Sequence, residues 1–275
     1  MTQFSRLKLT FPTDKLPAVA GIAKRINEQI QSQYLAGLWY ADIGRGLLWQ
    51  HVKSPMKLHS DFGCRAMPYR APTWSWASID LPVESSNCDS HISYSHSHDI
   101  TEIDKRFKVL EASCDVAGAN PYGCVTSGYL RVQGAVIVTK LCSRRATEHK
   151  NSSERKRKRG DGRSVEIGGE AKRTGDKGNY DCWLNIPESF ETSMYMASFD
   201  FDISAEGDQY IPDGCTIFAL LVGRSTVDVE NIDYSILLIV VKRNPKTFER
   251  IGLLCLLKDA DRVYEGAEEM TLDII

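Results

Sequence analysis

The stretch on which the fold turns is Tyr69–Asp80, YRAPTWSWASID. Pro72 drives Ala71 into an extended conformation and stops any helix arriving from upstream. The residues that follow therefore read as a β-strand, with Trp74 and Trp76 on one face and Thr73, Ser75 and Ala77 on the other. An indole buries about 150–250 Å², worth at most about 4–6 kcal/mol per ring at ~25 cal/mol/Å². Against a typical net stability of about 5–15 kcal/mol, two such rings decide whether a domain folds. The small face of Ser75, Ala77 and Ser78 lets another segment approach closely. The pair reads first as a core anchor; a ligand-binding aromatic shelf and a partner surface are the alternatives.

Upstream, Leu16, Val19, Ala20, Ile22, Ala23, Ile26 and Ile30 recur at three-to-four spacing within residues 13–35. This predicts an amphipathic helix, capped by Thr13 or Asp14, with Lys24, Arg25 and Glu28 toward water. Pro17 fits only its first turn. Gly37 is expected to end it, and Asp42 to open a second, short helix carrying Leu47, Leu48 and Trp49. Trp39 and Trp49 are expected to share a core with Trp74 and Trp76.

Downstream the pattern changes. Pro82–Asp99 is polar and rich in Ser and His and reads as a loop. Strands are expected over Phe107–Val116, along Leu130, Val132, Gly134, Val136 and Val138, over Tyr180–Ile186 and over Tyr195–Ile203. Cys215–Gly223, Ser235–Lys242 and Phe248–Lys258 are apolar runs bounded by turn residues, which suits strands covered on both faces. Residues 144–179 hold few apolar side chains and are expected to form a disordered insertion. The pattern as a whole is α+β: N-terminal helices packed on a mainly antiparallel β sheet system, barrel- or sandwich-like, with a long disordered basic insertion. Residues 1–80 supply the helical segment and the Trp-rich strand, packed with residues 100–275 as one domain.

The chain of 275 residues has a formal net charge of −2, which predicts no global attraction to nucleic acid or anionic membrane. That average hides an asymmetry: residues 144–177 carry 12 Lys or Arg and 6 Asp or Glu, a local +6, leaving −8 elsewhere. No apolar run reaches the roughly 18–20 residues that span a bilayer, and the N-terminus lacks the apolar core of a signal peptide. Eight scattered cysteines without a Cys-x-x-Cys pair then read as reduced thiols. The expected location is intracellular: cytoplasmic, or nuclear if Lys156, Arg157, Lys158 and Arg159 serve as an import cluster. A protein partner of unknown identity is expected, without membrane or nucleic acid.

Cys88, His91, His96 and His98 carry ligand types suited to zinc, but their spacing matches no common zinc module, so solvated side chains are expected. Asp200 and Asp202 would share a strand face as paired carboxylates, and solvation at a sheet edge is expected of them. The chain has no Gly-x-Ser-x-Gly elbow, Walker run or G-x-G-x-x-G. No catalytic residue, metal or cofactor is therefore expected.

Tyr69–Asp80, with its arginine, Ala-Pro and Trp-Ser-Trp-Ala-Ser run, resembles a segment of fungal heterokaryon incompatibility (HET-domain) proteins that lies downstream of the HET domain. Ser5–Ala23 resembles the segment just after that domain, and Tyr34–Gln50 the Gly-Leu-Trp and Leu-Leu-Trp segment that follows. Phe248–Leu254 resembles the family's C-terminal region loosely. The motifs of the HET domain itself are absent, so what the family does through that domain maps to no residue here. The resemblance implies a non-catalytic accessory or interaction region in heterokaryon incompatibility, that is, non-self recognition leading to programmed cell death. The alternative is a ligand-binding or enzymatic β-barrel whose pocket is lined by Trp39, Trp49, Trp74 and Trp76.

Overall fold

The computed structural model describes residues 4, 9–52, 63–80, 91–94, 100–145, 180–185, 195–203, 209–227, 232–257, 264 and 266–275. Two prolines open the N-terminal part as 3-10 turns, Pro12–Lys15 and Pro17–Val19, since a proline ring presets the first position and needs no amide partner there. Helix α1 follows over Ala20–Ile30. It begins later than Thr13 or Asp14, and its N-cap, Val19, supplies no side-chain bond.

Gln31 ends α1 in the left-handed region, φ 48°, six residues before the expected Gly37. Its amide bonds Asn27 O, while Asn27 Oδ1 accepts from Ser32 N at 2.9 Å. Gly37 instead belongs to a tight hairpin of β1 (Tyr34–Leu35) and β2 (Leu38–Trp39). Ala36 and Gly37, φ 47° and 97°, make the two-residue turn with positive φ at both positions that matches strand twist. Helix α2 (Ile43–Gly46) opens after Asp42 as expected but ends before Leu47, Leu48 and Trp49, and Trp49 instead starts a strand. The small strands β3 (Trp49–Val52), β4 (Cys64–Arg65), β5 (Ile79–Asp80) and β6 (His91–Tyr94) then pair antiparallel, β3 with β6 and β4 with β5. A strand at His91–Tyr94 corrects the expectation of an unbroken loop, because ladder bonds come from the backbone and polar side chains do not prevent them.

Nine further strands form one sheet system: β7 (Ile100–Ile103), β8 (Lys108–Val116), β9 (Val125–Arg145), β10 (Tyr180–Asn185), β11 (Tyr195–Phe199), β12 (Thr216–Val227), β13 (Ile232–Lys242), β14 (Phe248–Leu257) and β15 (Glu268–Ile274). The protein is α+β, with few helices and a mainly antiparallel sheet. The 21-residue β9 organises it by pairing with β8, β10, β12 and β15 along successive stretches. Pairing runs from β9 through β15, β14, β13 and β12 back to β9. Five directions cannot alternate around a closed circuit, so one neighbour pair must be parallel; that pair is β14 with β15, at Phe248 and Ile274.

The apolar runs behave as their composition predicts. Ile217, Ala219–Val222, Leu238–Val241, Ile251 and Leu253–Leu256 are buried irrespective of strand face. Along β9 the alternation breaks between Gly134 and Ile137, where four consecutive residues are buried. Beyond that point Thr139 and Leu141 face inward, and Val138 is 53% exposed. A Cβ at Gly134 would stand 2.8 Å from Leu220 Cδ1, so a larger residue there would have to displace that buried side chain.

The N-terminal part packs onto the same core. Leu16, Leu35, Leu38, Leu47, Leu48, Trp49 and Ile79 form one buried cluster with Leu130, Leu220 and Leu253. The helix face is the main departure. Ala20 and Ala23 are its buried residues, while Ile22, Ile26 and Ile30 are 65%, 41% and 44% exposed. A 3.6-residue period identifies a helix but not which flank of a broad apolar stripe meets the sheet.

Candidate functional site

The Trp-rich stretch is buried but is not a strand. Ser75 N bonds Pro72 O at 2.9 Å, closing a turn. Ser75 Oγ then accepts from Ala77 N at 3.0 Å and caps a 3-10 turn over Trp76–Ser78. A short hydroxyl bonding its own backbone two residues on is the local alternative to a ladder, and it displaces the extended conformation expected here. Only Ile79 and Asp80 are strand. Trp74 and Trp76 are nonetheless both 0% exposed, as is Trp49. Trp39 is not with them: it is half-buried and meets Tyr34 edge-on, ring centroids 5.0 Å apart.

A buried irregular segment has carbonyls that no ladder satisfies, and each needs a donor. Here side chains supply them. Trp49 Nε1 donates to Trp74 O at 2.9 Å and Ser78 Oγ to Ser75 O at 2.7 Å. Arg70 Nε donates to Ala77 O at 2.7 Å, and its Nη2 to Ile79 O at 3.1 Å. Lys15 Nζ reaches the same Ile79 O at 2.5 Å, and Arg65 Nη1 reaches Thr73 O at 3.4 Å and Ser78 Oγ at 3.1 Å. The hairpin turn seats itself on this segment. Ser75 Oγ donates to Ala36 O and Trp76 Nε1 to Gly37 O, at 2.5 and 3.1 Å. A Cβ on Gly37 would lie 2.4 Å from Trp76 Nε1.

Behind the tryptophans lies a buried ion pair. Arg250, 0% exposed, donates from Nε to Asp200 Oδ2 at 2.8 Å and from Nη2 to Asp200 Oδ1 at 3.1 Å. It also donates to Leu47 O and Trp49 O, and its guanidinium lies 3.5 Å from the centroid of the Trp49 ring. Asp200, 1% exposed, is therefore not the solvated edge carboxylate expected, nor paired in function with half-buried Asp202. Its carboxylate is held in a two-pronged bond of the strong, charge-assisted kind.

Burial shifts the protonation of several of these groups. Burial, reinforced by Arg70 and opposed by Asp80 and Cys64, brings the Lys15 amine down to about 7. Burial likewise lowers Arg65 to about 10. Burial raises the thiols of Cys64, Cys142 and Cys215, and burial with Asp115 brings Cys114 to about 12. These four cysteines are moved away from the thiolate that nucleophilic chemistry needs.

A separate cleft of about 310 Å³ is lined by Glu102, Asp104, Lys105, Arg106 and Arg224. Arg106 Nε donates to Asp104 Oδ1 at 3.1 Å. Among the described residues its lining is entirely charged, with no hydroxyl, thiol or imidazole. Among the described residues no three His, Cys, Asp or Glu side chains are grouped to hold a metal ion. Of the zinc candidates, His91 lies on β6, and Cys88, His96 and His98 fall outside the described residues. Lys156, Arg157, Lys158 and Arg159, with residues 146–179 of the basic insertion, fall outside them too.

Sequence reasoning missed Lys15, Arg65 and Arg250, quoted Arg70 only as part of a motif, and placed Asp200 in solvent. A signal was present for Arg250, a lone cation inside the apolar run FERIGLL, since a charge flanked by core residues is buried with a partner. No protein-family model, curated protein or solved structure matches this chain. No helix among the described residues is long and apolar enough to cross a membrane.

Proposed function

We propose that this chain is a non-catalytic interaction region of the heterokaryon-incompatibility type, offering a preformed surface to a protein partner. The observation that supports the reading best is the outer face of α1. Ile22, Ile26 and Ile30 stand on successive turns in water, on a helix that buries only Ala20 and Ala23. Apolar side chains at four-residue spacing are the anchors of helix-in-groove recognition. They contribute little to the chain's own core. The five-strand circuit reads as a small barrel filled by its own side chains. Trp49 Nε1 is committed to Trp74 O and Trp76 Nε1 to Gly37 O, and all three rings, Trp74 included, are fully buried, which counts against a Trp-lined ligand pocket.

The motifs at Ser5–Ala23, Tyr34–Gln50 and Tyr69–Asp80 suggest the partner class, a HET domain. The test is calorimetry of the purified chain with a purified HET domain of that family. A complex is expected, weakened at least about tenfold, or ~1.4 kcal/mol, by Ile26→Asp. No complex, or one indifferent to both Ile22→Asp and Ile26→Asp, refutes the proposal.

A further inference from the structure

Lys15 is the one buried lysine among the described residues, 8% exposed, on the 3-10 turn Pro12–Lys15. A lysine ammonium carries three N–H donors, yet Lys15 meets a single acceptor there, Ile79 O. That oxygen is already taken by Arg70 Nη2. Two basic groups converge on one carbonyl, and a single carboxylate, Asp80, serves both, bonded to Arg70 at 2.6 Å. The remaining titratable group facing Lys15 is the Cys64 thiol of β4; on its own turn the neighbouring Asp14 is exposed. Arg70 cannot move away to relieve the crowding, because its Nη1 also holds Pro12 O at 3.0 Å. Beneath the amine lies the Trp76 ring, its centroid 5.5 Å from Nζ.

We propose that Lys15 is a proton-operated latch: uncharged, its amine pins the Pro12–Lys15 turn to Ile79, and taking up a proton beside the Arg70 guanidinium releases that turn together with the start of α1. Opening uncovers Leu16, which is fully buried, and the part of Trp76 that Lys15 covers. The direction follows from linkage. Burial and Arg70 hold the closed amine at about 7, against 10.5 for an ordinary lysine. The open form binds the proton more tightly, so opening becomes easier as pH falls from 10.5 toward 7 and levels off below. Between about pH 8 and pH 6 the opening equilibrium rises roughly tenfold, about three quarters of that change in logarithmic terms lying above pH 7.

Amide hydrogen exchange of the full chain tests this, with rates corrected for the intrinsic pH dependence of exchange. Protection across α1 is expected to rise about tenfold from pH 6 to pH 8, while β12 and β13 stay constant. In Lys15→Met, which has no proton to take up, protection in α1 is expected to be independent of pH. A flat wild-type profile, or a variant that follows the wild type, overturns the latch. A second measurement needs no variant: competitive acylation of the wild-type amine across pH reports the midpoint of Lys15 directly. A midpoint near neutrality supports the latch, and an ordinary lysine midpoint overturns it. Neither readout depends on the identity of any partner.

Discussion

Arg250→Met tests the account of the interior most severely. The substitution keeps the bulk of the side chain and removes its charge, leaving Asp200, 1% exposed, without its direct partner and with only the charge of Arg65, which forms no ion pair with it, acting on it in the core. Breaking a buried pair from one side costs about 3–5 kcal/mol. Loss of the guanidinium from the face of Trp49, at 3.5 Å, adds up to about 2 kcal/mol. Leu47 O and Trp49 O lose a donor as well, but these terms share one side chain and do not add fully. A total of about 4–6 kcal/mol is expected, a large share of the ~5–15 kcal/mol of a typical domain. Urea denaturation followed by tryptophan fluorescence measures it as a fall of roughly 1–2 M in midpoint, taking a slope near the top of the ~1–3 kcal/mol/M range. The control is Arg250→Met with Asp200→Leu, which removes the orphan charge and is expected to recover part of the loss. A single variant within about 1 kcal/mol of wild type, or a double variant as costly as the two singles summed, would refute the reasoning.

Three further outcomes are expected. Gly37→Ala places a methyl against Trp76 at a φ of 97° and is expected to lower unfolding free energy by about 2–4 kcal/mol; Gly21→Ala, with open space around it in α1, is expected to raise it by about 0.5–1 kcal/mol. Ile22→Gln, on the exposed face, is expected to change stability by less than about 0.5 kcal/mol, whereas Leu16→Ala, 0% exposed, is expected to cost about 2–5 kcal/mol in the same urea assay. The hydrogen bond from Arg131, Nε to Oδ1 at 2.7 Å, lowers the Asp273 carboxyl below 3.8 against a smaller opposing effect of burial. The stability this adds is present above the unfolded midpoint and lost as pH falls through the depressed one; carboxyl NMR is expected to show a midpoint below 3.8 that moves upward in Arg131→Gln.

How far the sequence could be read depends on how local the cause is. The strands β12, β13 and β14 were legible because apolar runs of that length suit strands covered on both faces, and the ends lie within a few residues of those read from turn residues. Helix α1 was legible from its period, though it was read over residues 13–35 with Pro17 in its first turn and starts only at Ala20. The conformation of residues 72–78 was misread, although Ser75 ahead of Trp76 is an N-cap signal. A β-like tryptophan alternation outweighed it. The buried side of α1 was misread for a different reason: a broad apolar stripe does not say which of its flanks is covered, and Ala20 and Ala23 are the residues buried.

Local chemistry written in the sequence determined the element types: a proline fixing a backbone angle, a serine capping a turn, and a periodicity matching a helix or strand. Tertiary structure alone decided which charges lie inside. Arg250 meets Asp200 across 50 residues of chain and Leu47 across 203, and Lys15 meets Ile79 across 64. A carboxylate or an amine carries the same signal in sequence whether it faces water or the core. Its environment is set by distant segments that bring donors to it, and here those donors are what let an irregular, fully buried stretch take the place of the strand expected there.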